Sequence, residues 1–276
     1  MSEYNIDDIK IGNHNIVKAY KGDDLIFDRN AEQFIQSTVQ YGDQTHDPGY
    51  IYISDRNLYA NYKYEVDAQF DTPDYYFSSF LGGENADAEA DWSVQGTSPG
   101  LFFGSFAVTE YGWNRTGIPY DGDYGVGVFD IDNLMWPWDT TKFHPLSTNM
   151  VESLHTPDPL DFPIRRTITL YDPNATSNWT GVVPQDNPKR MTTNGFFLMG
   201  SRRKNGTVYN VQSGMMGSFN SDRGKVYRIS IYDTNGTTLL MNFKPKIQNG
   251  HIGMIDTVSG TFYPCNDDTL FRIAKR

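Results

Sequence analysis

A single cysteine, Cys265, is all the thiol this 276-residue chain has. That excludes an intrachain disulfide and any zinc site built from several cysteines. Long apolar runs are missing too, so no membrane insertion by a helix is expected. Met1 to Lys10 is polar and acidic rather than basic and then apolar, so no signal peptide is expected. Basic residues are in deficit: 23 Lys and Arg stand against 34 Asp and Glu, a formal net charge of −11. Such a chain repels nucleic-acid phosphates and anionic lipid at long range, and neither is expected as its main partner. The histidines (His14, His46, His144, His155 and His251) show no metal-ligand spacing and read as turn or surface residues. There is no Gly-x-Ser-x-Gly elbow and no phosphate-binding glycine loop. Long segments with the 3.6-residue helical period are absent. Only residues 31–40, beginning Ala31-Glu32-Gln33-Phe34-Ile35, could form a helical turn or two.

What the chain has is aromatic residues and turns. It carries 5 Trp, 18 Tyr and 17 Phe together with 25 Gly and 14 Pro, which favours strands joined by many turns. The length suits one large β domain or two modest domains. In Tyr62 to Phe70, the residues Tyr62, Tyr64, Val66, Ala68 and Phe70 fall on one face. Lys63, Glu65, Asp67 and Gln69 fall on the other, the period of a strand with one buried face. Arg166 to Tyr171 and Tyr227 to Tyr232 alternate similarly. Leu101 to Gly104 and Gly195 to Gly200 are continuous apolar runs, expected of central strands covered on both faces. Asn235-Gly236 and Asn249-Gly250 each separate two strand candidates, where a type I′ turn would need positive φ at both positions.

Residues 1–30 stand apart. Ile9 to Ile11, Ile16 to Tyr20 and Leu25 to Phe27 are short apolar-rich runs divided by turn clusters, and they read as a three-stranded meander. So small a unit cannot bury a core alone and must dock on something, through Ile9, Ile11, Val17, Tyr20, Leu25 and Phe27. Residues 110–165 are irregular and proline-marked, with Trp, Tyr and Asp interleaved, and read as long loops on a β scaffold.

The last third carries a resemblance. Gly224-Lys225-Val226-Tyr227-Arg228-Ile229-Ser230-Ile231-Tyr232-Asp233 is followed by Asn235-Gly236-Thr237 and Leu240-Met241-Asn242-Phe243-Lys244-Pro245. Gly250 to Asp256 and Val258-Ser259-Gly260-Thr261-Phe262-Tyr263 come next. This series, in order and with matching gaps, resembles the C-terminal signature of concanavalin A-like lectin/glucanase (laminin G-like) domains of phages and gut bacteria. The segment from Ile9 to Phe27 is similar to a short element of phage tail and other virion proteins. The resemblance implies an all-β, two-sheet concanavalin A-like jelly-roll sandwich over residues 31–276, preceded by a small β attachment element over 1–30.

Three chemistries are open on such a fold, because a fold does not fix a function. Glucanases of this family carry a Glu-x-Asp-x-(x)-Glu strand motif, and Glu65-Val66-Asp67 begins it. Glu65 and Asp67 would lie about 6.6 Å apart along the strand. The acid/base position, however, holds Gln69 or Phe70, and Asp71 could take that place only if the strand runs past Phe70. A retaining mechanism needs two competent carboxyl groups about 5–5.5 Å apart, so the plainer reading is a solvated polar face. Sugar binding would use aromatic faces beside carboxylates and amides, and Trp113, Tyr120, Tyr124, Trp136, Trp138 and Trp179 suit that recipe. Packing in a core or an interface uses the same residue types. Calcium is the cofactor the acidic loops could hold, through Asp121, Asp123, Asp130 and Asp132 or the Asp87 to Asp91 run, although none has EF-hand spacing.

Cys265 reads as a packed thiol. The Asn-x-Ser/Thr sites at Asn114, Asn174, Asn178, Asn205 and Asn235 read as turns rather than glycosylation acceptors. The resemblance implies a phage virion protein, fibre-like or decorating, assembled in the host cytoplasm and without catalysis. Its partners would be other virion proteins, further copies of itself, and a host-surface or environmental glycan. A purely structural assembly protein and a glucanase-type hydrolase are the alternatives.

Overall fold

Period-two alternation and glycine-containing turns leave antiparallel pairing as the way for these segments to satisfy their backbone groups. The computed structural model describes residues 9–11, 14–16, 18–21, 24–28, 32–38, 49–70, 78–84, 100–107, 124–131, 143–145, 147–153, 164–176, 195–199, 202–204, 207–209 and 224–275. The first strands are β1 (Ile9–Ile11), β2 (His14–Ile16), β3 (Lys18–Lys21), β4 (Asp24–Asp28), β5 (Gln33–Ser37), β6 (Ile51–Ile53) and β7 (Lys63–Phe70). There follow β8 (Ser78–Glu84), β9 (Gly100–Ala107), β10 (Tyr124–Ile131), β11 (Phe143–Pro145), β12 (Val151–Ser153), β13 (Ile164–Leu170) and β14 (Phe196–Leu198). The last are β15 (Arg202–Lys204), β16 (Thr207–Tyr209), β17 (Gly224–Tyr232), β18 (Leu239–Gln248), β19 (His251–Asp256), β20 (Phe262–Pro264) and β21 (Phe271–Lys275). Helix among the described residues is confined to single 3-10 turns at Thr148–Met150 and Asp268–Leu270.

The chain is all-β. Two sheets dominate. One has seven strands in the order β11-β10-β9-β8-β14-β6, with β12 also on β10. The other has eight, ordered β13-β7-β17-β18-β19-β20, with β5 on β17 and β21 on β5. The two share one core. Ile53, Phe80 and Leu198 of the first sheet and Val66, Ile229 and Met254 of the second belong to a single buried cluster. Phe196 of β14 meets Phe243 of β18 edge-on, with ring centroids 6.1 Å apart. Along one side the sheets are stitched together. Ile51 bridges Cys265, Asn266 N–H donates to the Tyr50 carbonyl at 2.9 Å, and Tyr50 N–H donates to Asn266 Oδ1 at 2.7 Å.

The alternation expected in β7 is present. Tyr64, Val66 and Ala68 are fully buried, while Lys63, Glu65, Asp67 and Gln69 face outward and are partly covered. In β13 the buried pair is Ile168 and Leu170. The apolar run at Phe196 is buried on every residue: Phe196 packs on Phe243 across the core, and the Tyr50 and Tyr52 rings lie against Phe197. The Asn249-Gly250 turn has φ of 53° and 85°, the positive pair that a type I′ hairpin needs.

Three expectations are corrected. Residues 31–40 form no helical turn where they are described. Gln33–Ser37 is strand β5, paired along its length with β21, whose Ile273 lies opposite Ile35. The local helix preference is overridden by a long-range partner that covers Phe34 and Ile35. Residues 1–30 are not a three-stranded meander. They form two separate two-stranded hairpins, β1-β2 and β3-β4. Each pairs across a two-residue, glycine-containing connection, Gly12-Asn13 and Gly22-Asp23, the shortest hairpin spacing, so His14 and Asn15 belong to a strand. The Asn235-Gly236 turn is not type I′, because only Gly236 has positive φ there. Asp233 Oδ1 instead accepts from Thr237 and Thr238 N–H at 3.1 Å each, which shapes a six-residue connection between β17 and β18.

Candidate functional site

The outward face of the eight-stranded sheet carries a network of charged and aromatic side chains. β7 supplies Lys63, Glu65, Asp67 and Gln69, and β13 supplies Arg165. β17 carries a bulge between Val226 and Arg228. The extra residue puts both Tyr227 and Arg228 on this face, while Val226 and Ile229 stay in the core. β5 adds Phe34 and Gln36, and Glu32 stands just before it.

Arg165 is the centre of the arrangement. Its Nε and Nη2 donate to the two Asp67 carboxylate oxygens at 3.0 and 2.8 Å. Its Nη1 and Nη2 donate to Glu32 at 2.6 and 2.7 Å. The guanidinium carbon lies 3.6 Å from the Tyr227 ring centroid. Planar geometry lets one guanidinium serve two carboxylates and a ring face together. The hydrogen bonds it donates to Asp67, and then to Glu32, raise the Arg165 pKa further above its ordinary value, so its charge is permanent. Tyr227 OH donates to Gln69 at 3.3 Å, and its ring tilts against Phe34 at 5.6 Å.

Glu65 forms a second group. Lys63 Nζ lies 2.9 Å from its Oε1, and the Tyr232 hydroxyl donates to its Oε2 at 3.0 Å. Arg228 Nη2 approaches at 3.7 Å, and Arg228 Nε is buried without an acceptor among the described residues. Lys63 Nζ also lies 4.5 Å from the Tyr232 ring centroid. Partial burial, then the bond to Glu65, raises the Tyr232 hydroxyl pKa, so it remains a donor at neutral pH. The side chains of Glu65 and Asp67 are only 14% and 16% exposed. The expected solvated face is therefore an ion-paired one.

This geometry bears on chemistry. Glu65 and Asp67 each face cations and donors rather than one another. Both Glu65 oxygens are taken up by Lys63 and Tyr232, an arrangement that holds the carboxyl as part of a strand brace. Gln69, two residues on, is occupied by Tyr227.

The sequence-proposed glycan residues Trp113, Tyr120, Trp136, Trp138 and Trp179 lie outside the described residues, as does the side chain of Tyr124, which begins β10 opposite Ala107. Asp121, Asp123, Asp132 and the Asp87 to Asp91 run also lie outside them. Asp130 sits in β10 opposite Leu101 and His144. Among the described residues no group of three or more His, Cys, Asp or Glu is placed to hold a metal ion. Of the attachment residues, Ile9 and Ile11 lie in β1, Tyr20 in β3, and Leu25 and Phe27 in β4, while Val17 lies outside the described residues.

Cys265 donates to Asp268 Oδ1 at 3.3 Å, and burial followed by that carboxylate pushes its thiol up to about 12. That is a packed and unreactive thiol. No helix among the described residues is long and apolar enough to cross a membrane.

Sequence reasoning passed over Arg165, Glu32, Tyr227 and Arg228. Glu32 was hidden by the helical reading of its segment, and Tyr227 and Arg228 by a bulge that alternation cannot reveal. Arg165 and Thr167 could have been found as the outward set of β13. Comparison of the chain with protein-family models, with curated proteins and with solved structures finds no match.

Proposed function

We propose that this chain is a non-catalytic phage virion protein, fibre-like or decorating, whose concanavalin A-like jelly roll binds a host-surface or environmental glycan. The supporting observation is that the run resembling the lectin/glucanase signature occupies four consecutive antiparallel neighbours, β17 to β20, in one sheet of a two-sheet core. The glucanase alternative is disfavoured by the same sheet. Its two strand carboxylates are engaged by Lys63, Tyr232 and Arg165, and the third motif position holds an amide engaged by Tyr227. Residues 1–30 serve as the attachment element, and its two hairpins are too small to bury a core alone. Subunit contacts would form a symmetric oligomer.

The test is a glycan array on the full-length protein, run with Ca²⁺ and again with EDTA, with bound sugars examined for cleavage. Saturable binding without cleavage is expected. Loss in EDTA would promote the acidic loops to calcium ligands. Turnover that Glu65→Gln abolishes would replace this reading with a glucanase. Absence of binding to every glycan would leave a purely structural virion protein.

A further inference from the structure

Charge is not spread evenly over the outward face of the eight-stranded sheet. Alternation and contacts fix which residues stand there. Ser230 Oγ donates to Asn242 Oδ1 at 2.8 Å, which places Asn242 on the outward side of β18. Lys244 and Lys246 follow it at two-residue steps, while Phe243 and Pro245 between them are buried. Arg272 of β21 reaches Gln36 of β5 with Nε at 3.0 Å and Nη2 at 2.7 Å, and Phe34 on the same side of β5 packs on Tyr227. Among its described residues, this face carries Lys63, Arg165, Lys225, Arg228, Lys244, Lys246 and Arg272 against only Glu32, Glu65 and Asp67. A basic excess here runs against the −11 of the whole chain.

The excess has a position. All three carboxylates, Glu65 and Asp67 on β7 and Glu32 just before β5, are engaged by Arg165, Lys63 and Arg228. The strands β18, β5 and β21 themselves contain no carboxylate. Arg272 is held by a neutral amide. Among the described residues no carboxylate lies within ion-pair reach of Lys244 or Lys246. Asp268, in the turn before β21, is engaged by Ile252 N–H, the Cys265 thiol and His251. Lys225 Nζ lies 5.4 Å from the centroid of the Phe34 ring, which is itself buried.

We infer that Lys244, Lys246 and Arg272 form a binding surface for an anionic polysaccharide carrying carboxylate or sulfate groups. The inference rests on the glycan-binding reading and adds the ligand's chemical class and the face it uses. Lys244 and Lys246 at a two-residue step, with Arg272 on the same face, match a polymer that repeats anionic groups along its length. Nucleic acid is the poorer fit. Its affinity is built from many phosphate contacts along the backbone, and this surface offers three cations. A second copy presenting acidic surface is the other occupant that charge would admit.

The test measures binding of the full-length protein to polygalacturonate, dextran sulfate, neutral dextran and single-stranded DNA across a salt series, with light scattering of the protein alone. Wild type should bind polygalacturonate or dextran sulfate saturably at low salt and leave neutral dextran unbound. Lys244→Gln/Lys246→Gln/Arg272→Gln should bind at least about tenfold more weakly with a shallower salt dependence, as expected when cation–polyanion contacts are removed. Lys244→Arg/Lys246→Arg, which keeps the charge, should bind like wild type, and an unchanged melting temperature excludes misfolding as the cause.

Equal binding by wild type and the triple Gln variant overturns the inference. DNA bound as tightly as the polysaccharides overturns it in favour of nucleic acid. Self-association that the triple variant loses, without polysaccharide binding, overturns it in favour of a second copy. Binding of neutral glycans alone, equal in both proteins, overturns this surface and leaves the lectin reading standing. Failure with every glycan overturns both.

Discussion

Asp256, at the end of β19, is a buried carboxylate whose surroundings make its removal measurable. Its Oδ1 accepts from Asn242 N–H at 2.8 Å and Val258 N–H at 3.0 Å. Its Oδ2 accepts from Ser259 N–H at 3.3 Å and the Ser259 hydroxyl at 2.7 Å. The residue is 2% exposed. Burial alone would raise its pKa. The hydrogen bonds from Asn242, Ser259 and Val258 outweigh that and hold it below the usual carboxylate range. In Asp256→Asn the amide oxygen keeps two donors, and the serine hydroxyl can turn to accept. Ser259 N–H then faces another donor. One strained pairing and the loss of charge assistance should cost about 2–3 kcal/mol. For a chain of this size that is a melting-point drop of roughly 4–10 °C at neutral pH.

The pH dependence sharpens this test. A folded pKa below the unfolded value gives stability that is present above the unfolded value, near 4, and lost as pH falls through the folded one. Wild type and Asp256→Asn should therefore converge in strongly acid solution. The assay is thermal unfolding by circular dichroism over a pH series. Equal melting temperatures at neutral pH would refute the argument, and so would a gap that persists unchanged below the folded pKa.

Arg165→Gln should lower stability by about 1–3 kcal/mol in urea unfolding, because two carboxylates lose their shared cation and Tyr227 its stacking partner. Arg165→Lys should recover only part of that, since one ammonium cannot copy two forks. Phe243→Ala, which empties a fully buried ring position between the sheets, should cost about 3–5 kcal/mol by the same assay. Gly253→Ala would set a Cβ on the Tyr263 carbonyl oxygen, so loss of amide-exchange protection in β19 and β20 is expected. Cys265 should resist thiol reagents at neutral pH in the native protein and react once denatured, given a thiol pushed up to about 12.

Sheet structure was legible wherever burial follows strict alternation. In β7 the same residues that alternate in sequence alternate in the structure, because one neighbouring sheet covers one side. The type I′ turn at Asn249-Gly250 was legible because its two strands need nothing but the turn to set their register. Asn235-Gly236 has the same dipeptide and a different turn, because Asp233 supplies competing acceptors and a bulge shifts the ladder at Ile231 and Tyr232. Strand β5 was illegible for a related reason. Its partners are Val226 and the C-terminal β21, so nothing near Gln33 in sequence announces that a ladder awaits it. The outward face combines both effects. Glu32 and Asp67 share one guanidinium although 35 positions separate them, and Tyr227 joins them only through a bulge. The strand carboxylates Glu65 and Asp67 could be read as a motif from sequence, but apart from Lys63 their partners come from β13 and β17. Those partners decide the chemistry: a carboxylate fixed by a bidentate arginine is a brace between strands, and to become a catalyst it would first have to lose that arginine.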